Sequence, residues 1–94
     1  MDRDKLEREL AEAFGGTGAE RRVVSRQAQD LADSGQYRTD SGHELTADVV
    51  VENMADADEE GVVERWNWWL GSLELAYADY ERFQVRQWAV EDTE

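Results

Sequence analysis

Three groups of residues have types and spacings that could do chemistry. Asp56, Asp58, Glu60 and Glu64 occupy positions one, three, five and nine of an EF-hand-like loop, with Gly61 at six and apolar Val63 at eight. Position twelve is Asn67, where a calcium loop needs a bidentate Glu, and Glu60 is longer than the usual Asp or Asn. A weak metal site is the most this loop implies. The same acids also suit the first turn of a helix, whose dipole favours them.

The second group is Asp40-Ser41-Gly42-His43-Glu44, which holds the residue types of a nucleophile site within five positions. A working triad instead needs a Ser on a rigid elbow and a His held by a buried acid, brought together from distant segments. A solvated turn is expected there. The third group is aromatic: Trp66, Trp68, Trp69 and Trp88 with Tyr77, Tyr80 and Phe83. Stacking on nucleic-acid bases wants a positive groove beside the rings. Glu64, Glu74, Asp79 and Glu81 offset Arg65, Arg82 and Arg86 here. Trp66, Trp69, Tyr77 and Tyr80 are expected in the core, and Trp68 off it.

The inventory excludes more than it offers. Without Cys, disulfides, thiolate zinc sites and Cys nucleophiles are impossible, and a lone His43 rules out paired-imidazole sites. Gly15-Gly16-Thr17-Gly18 has no strand before it and no GK[ST] after it, so a helix connector is expected and no cofactor is implied. No catalytic constellation remains. Nor does any apolar run approach the length of a membrane span, and the charged start is no signal peptide.

The elements that must position these residues are mostly helical. Leu6, Leu10, Ala13 and Phe14 form one stripe of a helix over 2–14, with Arg3/Glu7, Asp4/Arg8, Lys5/Glu9 and Arg8/Glu12 spaced for ion pairs on the other side. Thr17 and Glu20 have capping-box spacing for a second helix over 19–34, stopped by Gly35. Asp40-Ser41-Gly42 is a turn signal that predicts a small hairpin over 36–45. Thr46 is an N-cap, with Leu45 and Val50 as a staple, for a helix over 47–55, although Val49-Val50-Val51 also suits a strand. From Val62 onward, Trp66, Trp69, Leu73, Ala76, Tyr77 and Tyr80 fall within about 60° of one direction, which predicts a helix over 60–80. Past Tyr80 the phase is lost, and 82–90 reads as strand or as further helix, able to pair with the hairpin. The fold class is therefore mainly α, a helix-rich α+β chain of about four helices with a small sheet from 36–45 and 82–90. Residues 1–90 form one domain, and 91–94 a frayed acidic end.

Charge sets the expected habitat. Of 94 residues, 23 are acidic and 10 basic, nine of these Arg, for a formal net charge of −13. Self-repulsion on this scale weakens a compact state in dilute buffer, and it fades at molar salt, where the Debye length is about 3 Å. In this composition and its dense Trp segment the chain resembles small uncharacterised proteins of halophilic archaea. The resemblance implies a cytoplasm of high salt and transfers no activity. A soluble, cytoplasmic protein is expected.

Two functions compete. The helix over 60–80 carries a second apolar stripe, Trp68 and Leu75, with small Gly71 and Ser72 between them. Either another helix of the same chain covers it, or a second protomer does; the leading expectation is a homodimer that also has room for an unidentified protein partner. The alternative is a winged-helix-like nucleic-acid module using Arg21, Arg22 and Arg26. Net charge and ambient salt both oppose phosphate binding.

Overall fold

The computed structural model describes residues 1–86. Five α-helices and one 3₁₀ turn follow in order: α1 (Arg3–Ala13), α2 (Gly18–Ser34), α3 (Gln36–Ser41), α4 (Ala47–Ala55), α5 (Val62–Tyr77) and the turn Glu81–Phe83. The starts are set by side-chain caps. Asp2 accepts from the Lys5 N–H, and Thr46 from the Val49 N–H. Thr17 and Glu20 complete a reciprocal capping box, which satisfies two backbone donors that the first turn leaves unpaired. The Val-rich α4 is helical, because its cap and its buried Val50 and Met54 outweigh the β-preference of its branched residues.

The expected hairpin over 36–45 does not form; that stretch begins with α3. Gly35 and Gly42, at φ of 73° and 81°, flank it in the left-handed region. A Gly with positive φ serves a helix end as readily as a hairpin turn, so Asp40-Ser41-Gly42 could not distinguish the two. The Gly42 N–H closes onto the Arg38 carbonyl, and the Ser41 hydroxyl donates to that of Tyr37 at 2.7 Å. Among the described residues there is no strand, so the expected small sheet is not seen. The described part of 82–90 is the end of the 3₁₀ turn, a bend at Gln84 and two residues without regular structure. Residues 87–90, with Trp88, and the acidic end 91–94 lie outside the described residues.

The helices enclose one apolar core. α1 packs on α2 and α4; α5 packs on α2, α4 and the 3₁₀ turn. Leu6, Leu10, Val24, Leu31, Val50, Met54, Val62, Trp66 and Leu70 are sealed within it. On α5 the buried face runs Val62, Val63, Trp66, Trp69, Leu70 and Leu73. Tyr77 shares that direction but is 45% exposed, a correction to its expected burial, because the buried face of α5 ends at Leu73. Ala76 is exposed for the same reason.

The ion pairs spaced along α1 do not close. Lys5 instead reaches Asp48 on α4 at 3.7 Å, and the other ion pair among the described residues is Arg38–Glu44. Both are exposed and contribute little. No helix among the described residues is long and apolar enough to cross a membrane.

Candidate functional site

Trp66, Asn67, Trp68 and Trp69 form one turn of α5, and they do different work. The Trp66 ring is fully buried, and its Nε1–H donates to the Phe83 carbonyl at 2.9 Å. Trp69 meets Trp66 and Tyr37 edge to face, with centroids 5.7 and 5.8 Å apart. Asn67 treats Val85 as a strand would: its Nδ2–H donates to the Val85 carbonyl at 2.8 Å, and its Oδ1 accepts the Val85 N–H at 2.7 Å. The Gln84 amide then donates to the Asn67 carbonyl at 3.2 Å. Together these residues form a groove that holds the segment after α5, in which Tyr80, Phe83 and Val85 are buried.

Trp68 takes no part in that groove. It is 41% exposed, and Leu75, two turns on along the same face, is 91% exposed. Among the described residues none covers Leu75, and Trp68 keeps a large exposed part. Gly71 and Ser72 lie between them, and the Ser72 hydroxyl donates to the Trp68 carbonyl, so the centre of the face is small and already satisfied. A methyl group at Gly71 would meet nothing nearer than Gln84 Nε2 at 3.8 Å. The monomer thus gives no steric reason for Gly there, although Gly in a helix interior costs about 1 kcal/mol relative to Ala.

The turn after α5 is unusual. Ala78 adopts φ 73° and ψ 161°, and Asp79 has φ 67°; both are strained for residues with a side chain. Glu74 holds the turn with one carboxylate, which accepts the N–H groups of Asp79, Tyr80 and Glu81 at 2.9–3.1 Å. Gln36 donates to the Asp79 carbonyl, and the Tyr80 hydroxyl to Asp40, both at 2.8 Å. Burial, and then the Asp40 carboxylate, push the Tyr80 phenol well above its usual range. These groups border an open cleft of about 810 Å³, lined also by Asp79, Glu81, Arg82 and Arg86, in which Glu74 and Asp40 already serve as acceptors for the fold.

The bonds from Glu81 and Tyr80 hold the Glu74 carboxyl below its ordinary value of 4.5. A lowered folded value means the stabilisation is complete above pH 4.5 and is lost as pH falls through the folded value beneath it. Glu74→Gln is therefore expected to be less stable than wild type at pH 7, with the gap closing below pH 4.5. Urea unfolding at several pH values measures this; a gap independent of pH would deny Glu74 the role.

The other sequence candidates fall apart in space. Asp56, Asp58, Glu60 and Glu64 are all exposed, and no three acidic or His side chains gather at metal-binding spacing among the described residues. Within that loop the Arg65 guanidinium donates to the Met54 and Ala57 carbonyls and lies over the Phe14 ring at 4.6 Å. His43 is exposed, and the Ser41 hydroxyl is spent on the end of α3. Arg21 donates to the Gly15 and Gly16 carbonyls, closing the α1–α2 connection, so only Arg22 and Arg26 of the basic trio stand free of the loop.

Sequence reasoning missed Asn67, Glu74 and the strained turn. A mid-helix Asn among three Trp was a usable signal, since Asn disfavours helix interiors. Glu74 gave none among so many acids.

Residues 1–74 match the model of a family described as the WNWW domain, whose name spells Trp66-Asn67-Trp68-Trp69. No curated protein and no solved structure matches the chain.

Proposed function

The chain belongs to the WNWW domain family, and we propose that it works as a small self-associating interaction domain in which two copies meet through the outward face of α5. The exposure of Trp68 and Leu75 on one face of α5 carries this reading. Large apolar side chains left together in water usually mark an interface.

The register of the face suits a twofold axis. Trp68 and Leu75 lie equally far on either side of the Gly71–Ser72 link, about 10 Å apart along the helix. Antiparallel α5 helices crossing at that link would set each Trp68 against the partner's Leu75. The small central residues would let the backbones approach. Burying both side chains contributes on the order of 3 kcal/mol per protomer, partly offset by lost rigid-body freedom. The interface is therefore modest, and an unidentified protein with a similar apolar ridge would fit the same face. The setting we propose is a cytoplasm of concentrated salt, which screens the charge that two acidic protomers bring together.

Light scattering in molar KCl tests the reading. Wild type should show twice the chain mass, and Trp68→Glu with Leu75→Glu a folded monomer. A wild-type monomer, or a double variant that stays dimeric, would refute it.

A further inference from the structure

The segment Tyr80–Val85 sits in the Trp66–Asn67 groove much as a bound peptide sits in a receptor. It makes backbone bonds to Trp66 and Asn67 and buries Tyr80, Phe83 and Val85. The family match ends at residue 74, so it includes the groove and leaves out the segment that fills it. The two are joined by Ala78 and Asp79, the only residues besides Gly with positive φ among those described.

That joint conflicts with its own sequence. Leu75-Ala-Tyr-Ala-Asp-Tyr80 contains no Gly or Pro, and the apolar period of α5 runs on to Tyr80. The chain nevertheless breaks at Ala78, in a region that Gly almost alone adopts. Continuing α5 through Ala78 and Asp79 would relax both residues and carry Tyr80–Val85 away from its own groove. The groove of a second copy offers identical contacts. Short connections under strain favour such an exchange.

We propose that Tyr80–Val85 exchanges between two copies of this chain, each segment seated against Trp66 and Asn67 of the other, with Ala78–Asp79 as the hinge. This deepens the self-association proposed above by adding a groove that the second copy completes. Two sets of contacts decide the balance. Glu74 holds the closed turn through the N–H groups of Asp79, Tyr80 and Glu81, and these bonds are lost on opening. The strain at Ala78 and Asp79 is relieved on opening. The Tyr80–Asp40 bond and the groove contacts are kept in either form.

Because the chain has no Cys, cross-linking can be made site-specific. A Cβ at Gly71 would lie 3.8 Å from the end of the Gln84 side chain, where the segment passes α5. A chain carrying Gly71→Cys and a chain carrying Gln84→Cys, both also carrying Trp68→Glu and Leu75→Glu, would be mixed in molar KCl and mildly oxidised. With the α5 face removed these chains should be monomeric at equilibrium, and oxidation traps the exchange that such monomers undergo transiently; a disulfide between the two chains is expected, and it would establish exchange whatever the α5 face does. A single chain with both cysteines checks that the pair can close. If that chain closes internally and the mixture gives no cross-link, exchange is overturned, while the face reading is still judged by the mass of wild type. In equilibrium sedimentation, Ala78→Gly should weaken dimerisation about tenfold or more, since Gly removes the strain that drives opening. Glu74→Ala should strengthen it. Unchanged dimerisation in both variants would also overturn the proposal.

Discussion

Replacing Trp66 with Ala should cost about 3–5 kcal/mol, out of a total stability of roughly 5–14 kcal/mol for a chain of this size. Two losses combine. The buried ring leaves a cavity beside Trp69 and Leu70, and the Phe83 carbonyl loses its donor inside the core. Trp66→Phe separates them: it keeps most of the apolar volume but strands that carbonyl, at about 1–3 kcal/mol. Urea midpoints should therefore fall in the order wild type, Trp66→Phe, Trp66→Ala. If Trp66→Phe matched wild type, the bond to Phe83 would have no part in holding the segment.

Asn67 extends the same argument to the next residue. Its amide offers Val85 one donor and one acceptor, in the pattern of a paired strand. Asn67→Asp keeps the shape but sets a carboxylate against the Val85 carbonyl, so it should destabilise at least as much as Asn67→Ala. A merely space-filling Asn would tolerate Asp better than Ala.

Much of the helical framework could be read from the chain because its signals are local. Thr17/Glu20 and Thr46 fixed two helix starts by hydrogen bonds that reach only three residues. The stripe from Val62 to Leu73 identified the core face of α5, although it missed Val63 and Leu70. What could not be read depends on distant partners. Tyr77 lies on the core side of α5 by phase, yet it is exposed, since the buried face of the helix ends one turn earlier at Leu73. Gly42 closes α3 instead of a hairpin because Tyr37 finds the Trp69 ring, 32 positions away in sequence. The end of α5 is the sharpest case. Local preference favours helix through Tyr80, and the contacts of Glu74, Gln36 and Asn67 with the following segment override it. Places where local preference and fold disagree are where strain is stored, and function often resides there. The outward placement of Trp68 was readable for the opposite reason, since it follows from helical phase alone.

Dilution of salt should unfold this protein more readily than heat does in molar KCl. The formal charge of −13 is spread over a small surface, and the exposed ion pairs Lys5–Asp48 and Arg38–Glu44 offset little of it. At 0.1 M salt the Debye length is about 10 Å, so each surface carboxylate feels several others; at 1 M it is about 3 Å and feels few. A Tm at least about 10 °C higher in molar KCl is expected, equivalent to about 2 kcal/mol for a domain of this size. Association should follow the same direction, because bringing two such chains together doubles the charge to be screened. Screening predicts that NaCl and KCl act equally at equal ionic strength and that an uncharged osmolyte does not reproduce the low-salt part of the rise. Circular dichroism melts in the three series would decide it. A flat Tm across the KCl series would mean that the acidic surface is no burden to the fold, and the high-salt setting would lose its physical basis. A rise matched by the osmolyte would point to strengthened apolar burial instead of screened repulsion.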